Sequence, residues 1–409
     1  VKRSYPTSLP SAKFDQAAFT QRLEILCQMK LSELFQAVLE AEVDQALERV
    51  RYERRGDHGT AGYRDGHDRP RTISSNRGPI TIARPRVRGV PYASAVLPKH
   101  RRRLENVDRS VTDLWLDGLA TRDFEGTLRA FLGAEAPLSA ATIARTNQRL
   151  CVELDAWNAR RLDDLELVFV WADGVYLGAG PDDERRVFLT VIGADRMGRK
   201  HLIALREAMS ESEVAWEELF ADLASRGLAA PALLIADGAN GLWAAASKAW
   251  PRVAQQRCWL HKMRNIEDKL PKSQLDAAHD AMTEIMYLEN EAEARRKWER
   301  LAKSFERAYP KAAKCMRDDV ERLFAYYQFP ASTWYHLRTT NAIESIFAPI
   351  RHRTDAMKRL RTGRFATAVV LALIGKLSRK WRRLQGYRDI YEIVPTKTTS
   401  TRVALKRAA

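Results

Sequence analysis

Two short apolar runs, residues 167–172 and 233–236, each pass without a spacer into Asp-Gly. Continuous apolar runs of this length, with no polar alternation, suit strands buried on both faces, and such strands need helices covering the sheet from both sides. Residues 187–192 and 201–205 read as further strands between them, a helix follows over about 211–225, and 252–257 supplies a fifth strand. The order strand, strand, strand, helix, strand predicts an α/β core with a mixed sheet. From 262 to about 329 the chain is helix-forming and charged with no strand signal, which predicts an all-helical insertion interrupting that core. Residues 361–383 read as a basic helix.

Upstream of the core the texture differs. Residues 11–53 place Leu23, Leu26, Leu31, Leu34 and Val38 at helical spacing, a stripe for core or dimer contact. Residues 73–75 and 80–82 flank the turn signal Asn76-Arg77-Gly78-Pro79 and predict a small strand pair. Arg69, Arg71, Arg77, Arg84, Arg86 and Arg88 crowd around it; arginine at this density suits contacts to phosphate, the alternative being a solvated face. Residues 107–157 are helical, and 121–132, a turn at Gly133 and 139–150 have the layout of a helix-turn-helix, a layout shared with ordinary helical packing.

A chain of 409 residues exceeds one compact core. The expected organisation is a mostly helical, basic N-terminal DNA-binding region made of a helical segment with a core or dimer contact (1–53), an arginine-rich DNA-binding element (54–105) and a helical, helix-turn-helix-like DNA-binding region (106–160), then the first part of the core (161–261), the insertion (262–335), the last part of the core with a basic helix (336–390) and a tail (391–409). Lysine and arginine outnumber acidic residues 68 to 52, and the net charge of +16 points to a polyanionic partner, nucleic acid first. No apolar stretch reaches the roughly 18 residues a membrane helix needs, so a soluble, cytoplasmic protein is expected. Cys27, Cys151, Cys258 and Cys315 lie far apart with no CxxC pair, which fits reduced thiols and neither a disulfide framework nor a four-ligand zinc site.

Asp173 and Asp237 follow the two buried runs, and a strand end is rigid enough to aim a carboxylate at a shared point. Two such groups suit magnesium, which takes oxygen ligands and keeps waters, and two ions can serve both the attacking and leaving oxygens of a phosphoryl transfer. Asp-Gly is equally a hairpin turn, with no function implied. Glu344 stands three residues after Asn341, the spacing of a capping box, and Ile343, Ile346 and Ile350 put it beside an apolar face. The residues alone do not choose between cap and catalyst. Pro349 is expected to kink or end this helix. Cys258 and His261 show half of a zinc-finger spacing without the other half, and packing is the simpler role for Cys258.

At this point the chain resembles the Mutator-type transposases of bacterial insertion sequences. The likeness is carried by Trp171-Ala172-Asp173-Gly174-Val175-Tyr176, Ile235-Ala236-Asp237-Gly238, the stretch from Gln256 to Asn265, Arg338 to Glu344, and Ile350-Arg351-His352-Arg353-Thr354. Arg51 to Gly56 and Gly62 to Gly66 extend it towards the N-terminus. The resemblance implies a ribonuclease H-like fold with Asp173, Asp237 and Glu344 as metal-binding catalytic residues, two Mg²⁺ ions (or Mn²⁺), and an accessory role for Cys258 and His261. It further implies binding of terminal inverted repeats and target DNA, strand cleavage and strand transfer, and a homodimer or larger assembly. Lys262, Arg264, Arg338, Arg351 and Arg353 join the arginines above as expected DNA contacts. Phe347 and His352 depart from the residues common in the family, Asn and Arg, which bears on local DNA contacts. Trp298 and Trp334 are candidates for stacking on an unpaired base, with core packing as the alternative. An inactive DNA-binding descendant and a nuclease without joining activity are the competing functions.

Overall fold

The computed structural model describes residues 15–54, 60–75, 78–99, 101, 104–116, 140–177, 186–356 and 363–393. The chain divides into two compact units, Val1–Thr146 and Asn147–Ala409.

The first unit is organised by one long helix, α1 (Gln16–Leu47). The Asp15 carboxylate accepts from the N–H groups of Ala17 and Ala18 at 3.1 Å, satisfying two donors that a helix start leaves open. Four strands follow, β1 (Tyr63–His67), β2 (Arg71–Ser75), β3 (Gly78–Ile82) and β4 (Pro85–Arg88), then α2 (Glu105–Leu116). The expected strand pair is present as antiparallel β2 and β3, with Ile73 opposite Ile80. Both pack with Leu39 of α1, Leu97 and Val107 in a small core. A second pair, β1 with β4, has no apolar signature because its strands are charged and half exposed. Arg77, the helix expected over 121–132 and the Gly133 turn lie outside the described residues.

Glu42 on α1 ties down the segment after β4. Its carboxylate accepts from the Tyr92 and Ser94 hydroxyls at 3.2 and 2.5 Å and from the N–H groups of Ala95 and Val96 at 2.6 and 3.3 Å. Burial raises its pKa, but these donors more than offset that and hold the carboxyl below its ordinary range. Glu42→Ala is expected to lower stability by about 1–2 kcal/mol, the net worth of hydrogen bonds to one charged group, measured by urea unfolding at neutral pH. Because the folded-state pKa is depressed, the deficit should shrink as pH falls through the carboxylate range.

The boundary between the units falls within α3 (Ala140–Ala159), which leads to β5 (Leu167–Leu177), β6 (Arg186–Asp195) and β7 (Lys200–Ala208), β6 pairing antiparallel with β5 on one side and β7 on the other. After α4 (Glu213–Ser225), β8 (Leu233–Ala236) runs parallel beside β5; after α5 (Asn240–Ala249), β9 (Ala254–Arg257) runs parallel beside β8. The order β7-β6-β5-β8-β9 is a mixed five-stranded sheet, as the sequence predicts. Alternate residues serve opposite faces. Val170, Ala172, Leu234 and Ala236 join Trp216, Phe220, Leu242 and Ala246 in the core beneath α4 and α5. Phe169 and Trp171 face the other way, Phe169 packing edge-on against Phe329 at 5.4 Å and Trp171 donating its indole N–H to the His336 carbonyl at 3.2 Å.

The expected insertion is helical among its described residues: α6 (Trp259–Glu267), α7 (Lys272–Met286), α8 (Glu291–Glu306), α9 (Pro310–Arg317), α10 (Val320–Leu323) and α11 (Trp334–Leu337), with short 3₁₀ turns between the last two. Trp259, Trp298 and Phe324 pack edge to face at 5.2–6.2 Å. Trp298 is 1 % exposed with its N–H on the Met316 carbonyl, so it belongs to the core and offers no stacking face to a base. Trp334 likewise packs on Tyr326 and Tyr327.

Then come α12 (Asn341–Ala356), α13 (Gly363–Ser378) and α14 (Tyr387–Ile393). The ending expected at Pro349 and the basic helix expected over 361–383 are corrected by these elements. Helix α12 continues through Pro349, held by Ile343, Ile346, Phe347 and Ile350, each at most 4 % exposed; tertiary burial outweighs the one backbone bond that proline removes. The segment read as a basic helix is apolar through its middle, where Ala366, Val369, Val370 and Ile374 are buried, and its cationic cluster from Arg379 to Arg383 follows the helix.

Candidate active site

The sheet register brings the two aspartates together. Ala172 pairs with Ala236 across β5 and β8, and Ala236 pairs with Arg257 across β8 and β9. Asp173, Asp237 and Cys258 are therefore the next residues of three adjacent strands, about 4.8 Å apart from one strand to the next, and the Cys258 N–H continues the ladder onto the Ala236 carbonyl at 2.7 Å. By parity Asp173 shares the face of Phe169 and Trp171, the face on which α12 packs against β5 and β6.

Neither Asp-Gly step is a hairpin. Strand β5 runs on to Leu177, with Asp173 opposite Thr190 and Gly174 opposite Leu189. Both glycines are spaces for a neighbour. A Cβ on Gly174 would overlap the carboxyl group of Glu211, and one on Gly238, which also has φ +102°, would meet the Arg257 guanidinium, with Nε at 2.8 Å. Arg257 is 8 % exposed and its Nη1 pairs with Asp319 at 2.7 Å, fastening the turn after Asp237 to the insertion.

Glu344 enters from α12. The helix begins at Asn341, leaving Thr340 at the capping position, so Glu344 falls one place beyond the residue a capping box uses. The Thr340 hydroxyl stands 3.4 Å from both Glu344 Oε1 and His261 Nδ1 and 3.5 Å from Cys258 Sγ, while the Thr340 N–H points to that sulfur at 3.4 Å. His261 Nε2 lies 3.9 Å from Glu344 Oε1. Strand end, α6 and α12 are thus linked through one threonine. Sequence inspection misses it, as it misses Glu211 and Arg257, because nothing in the local pattern distinguishes them from a loop hydroxyl, a helix-start acid and a surface arginine.

The electrostatics follow from burial. Asp173 is 9 % exposed; burial first and the charge of Asp237 second raise its pKa to about 7, with Glu211 and Glu344 adding to the rise and His261 opposing it. The Cys258 side chain raises the His261 pKa, burial opposes this, and the charges of Cys258, Asp173 and Asp237 help bring it to about 9. His261 is therefore an imidazolium at neutral pH, facing the acids. Burial pushes the Cys258 thiol up, but His261 and Thr340 outweigh that and leave it below its ordinary range. Among the described residues no three Cys, His, Asp or Glu side chains are gathered closely enough to hold a metal ion by themselves. Magnesium does not need such a cage, since one or two carboxylates with waters and substrate oxygens complete its shell, and a buried carboxylate with its charge unbalanced is a donor that a cation would relieve.

The expected DNA contacts separate into two groups. Arg264 and Arg351 are exposed and Arg353 is half-buried. Lys262 is 1 % exposed, its ammonium donates to the Asp318 carbonyl, and burial followed by the Arg257 charge lowers its pKa to about 8. Arg338 is 8 % exposed, its guanidinium 5.0 Å from the rings of Tyr287 and Tyr326 and 5.6 Å from Trp334. Lys262 and Arg338 are thus buried side chains, and Phe347 is likewise core. In the first unit Arg69 is exposed, Arg71 donates to the Pro98 carbonyl at 3.4 Å and to that of Lys99, and Arg84 pairs with Asp68 at 2.9 Å. Arg86 and Arg88 share Asp65, at 3.8 and 2.9 Å, with side chains 49 % and 66 % exposed.

Fold and site together define an α/β protein with an acidic centre where a mixed sheet meets a following helix. A profile of the transposase Mutator family matches residues 7–383, and the chain belongs to that family. It is 38 % identical over 269 residues to the transposase for insertion sequence element IS6120 of Mycolicibacterium smegmatis, covering 66 % of this chain and 83 % of that one. It is 36 % identical over 256 residues to the transposase for IST2 of Acidithiobacillus ferrooxidans, covering 62 % and 86 %. The transposase for ISRM5 of Rhizobium meliloti is 26 % identical over 382 residues, 92 % of each chain. No helix among the described residues is long and apolar enough to cross a membrane.

Proposed function

We propose that this chain binds the terminal inverted repeats of an insertion sequence and catalyses DNA strand cleavage and strand transfer at a ribonuclease H-like centre formed by Asp173, Asp237 and Glu344. The observation that carries the proposal is the register that sets Asp173 beside Asp237, with Glu344 on the helix that packs over the same face. The three carboxylates would hold two divalent ions, Mg²⁺ or Mn²⁺. When bound, such ions neutralise charge on a phosphodiester and activate the attacking oxygen, water or a DNA 3′-hydroxyl. The protein's part is positional: the sheet fixes the two aspartates, and Thr340 and His261 restrain the Glu344 carboxylate. His261, charged at neutral pH, lessens repulsion among the acids. Two DNA ends have to be held together, so a homodimer or larger assembly is the expected form, and the exposed face of α1 with Phe19, Leu23, Leu26 and Met29 suits that contact.

The test supplies pre-cleaved terminal DNA with a target plasmid and either metal. A transposase yields joined products; a nuclease yields nicked target alone, and an inactive descendant binds the ends without product. DNA binding should also weaken with salt. If only Arg86 and Arg88 neutralise phosphates, the slope of about 0.9 per phosphate predicts roughly a tenfold loss of affinity between about 50 and 200 mM salt. A flat response in fluorescence anisotropy would remove the arginine-rich segment from the DNA interface.

A further inference from the structure

Glu211 closes the link from β7 to α4 and has no part in the three-carboxylate centre proposed above. Glycine sets its position twice. Gly174, next to Asp173 in β5, leaves the space in which the Glu211 carboxyl group lies, with Cγ 2.6 Å from where a Cβ would stand. Gly241, in the first turn of α5 beyond Asp237, admits the backbone of Glu213, whose N and Cα would lie 2.7 and 2.9 Å from a Cβ there. The segment bearing Glu211 is thus seated between the strand that carries Asp173 and the helix that follows Asp237. The Tyr176 hydroxyl faces its carboxylate from β5. The groups that act on the charge of Glu211 are Asp237, Tyr176 and His261, all of the same corner. An ordinary surface glutamate is not lodged against glycine beside other carboxylates, because repulsion and lost hydration both oppose it. Independently, Asp173 is only 9 % exposed, and none of the hydrogen bonds found among the described residues reaches its carboxylate, which leaves it available to a cation.

We infer that Glu211 is a fourth carboxylate of the active centre, ligating a divalent ion with Asp237 from the α4 side of the sheet while Glu344 approaches from the α12 side. The inference rests on the proposed metal-dependent centre. It gives a chemical reason for glycine after Asp173: a side chain at 174 would evict the ligand.

The experiment is a Mn²⁺ titration of the full chain followed by electron paramagnetic resonance, which counts free ion, with melting curves recorded with and without Mn²⁺. Wild type, Glu211→Gln, Glu211→Asp and Asp237→Asn are compared. The expected result is Mn²⁺ affinity reduced by about tenfold or more in Glu211→Gln, the scale seen when a supporting group at a metal site is removed, with partial recovery in Glu211→Asp and no drop in metal-free melting temperature. If Glu211→Gln binds Mn²⁺ as wild type does while Asp237→Asn is weakened, Glu211 is no ligand and the three-carboxylate centre stands. If wild type retains no Mn²⁺, or Asp237→Asn binds as well as wild type, both fall. Should Glu211→Gln lower the metal-free melting temperature, Glu211→Asp decides: weakened Mn²⁺ binding at unchanged melting supports the assignment, and wild-type binding overturns it.

Discussion

Asp237→Asn is expected to abolish strand cleavage and joining, by at least about 10³-fold, while binding of the terminal DNA stays within about twofold of wild type. The change keeps the shape of the side chain and preserves the turn that follows it, since the amide oxygen can still accept the Ala239 N–H now held at 3.0 Å by Asp237 Oδ1. What is lost is one negative charge beside Asp173. Charge stabilisation by a bound metal is worth several kcal/mol in a phosphoryl transfer, and each 1.36 kcal/mol is about tenfold in rate. Gel-resolved cleavage with Mg²⁺ and Mn²⁺, alongside anisotropy for binding, separates the two effects. Asp173→Asn and Glu344→Gln should behave alike. Cleavage persisting in any of the three would remove that residue from the centre.

Asp173→Asn should, unusually for a buried substitution, stabilise the metal-free protein. The pKa of Asp173 in the fold is about 7 against an ordinary 3.8, because burial and then Asp237 oppose its charge. A folded-state value above the unfolded one means that the folded protein holds the proton more tightly. Stability from this group is therefore full below the unfolded pKa and is lost as pH rises through the folded one. The difference corresponds to roughly 4 kcal/mol above pH 7, and local relaxation and water penetration should leave about 2–4 kcal/mol. Urea unfolding in chelator should show wild type and variant nearly equal at pH 4 and separating up to about pH 7. With Mn²⁺ present at pH 8 the order should reverse, because only wild type gains a bound ion. Equal stability at pH 8 in chelator would mean that the Asp173 carboxylate is better solvated than its burial indicates.

The strands are legible where the physics is simple. Residues 167–172 and 233–236 are apolar because both sheet faces are covered, and no other element of that length needs such a run. The extension of β5 to Leu177 is hidden by Asp173, Gly174 and the exposed Tyr176, which break the run for reasons of function and space. The pair β1 with β4 is hidden because Arg86 and Arg88 of one strand pair with Asp65 of the other and the strands offer no apolar alternation. Charge is the least transferable signal. Lys262 and Arg338 look in sequence like phosphate contacts, yet one is spent on a backbone carbonyl and the other is enclosed by aromatic rings. Several arginines of the first unit balance Asp65 and Asp68, so a high density of like charge partly reflects internal neutralisation. Asp173 and Asp237 stand out because each follows an apolar run, but only the register makes them neighbours. Glu211 has no signature in the sequence at all, because its signal is the absence of a side chain at position 174.

The route of the chain through the insertion has a consequence for synthesis. Asp173 lies within β5 and Asp237 directly after β8, both before the insertion begins, while Glu344 lies on α12 beyond it. A ribosome delivers the chain from its N-terminus, and domains fold as units once their parts have emerged. The nascent protein therefore presents two aspartates long before the helix that completes the proposed centre exists, and the proposed strand cleavage cannot start on a half-made chain. Reading frames cut short anywhere within the insertion would share that incapacity, however well their upstream elements fold.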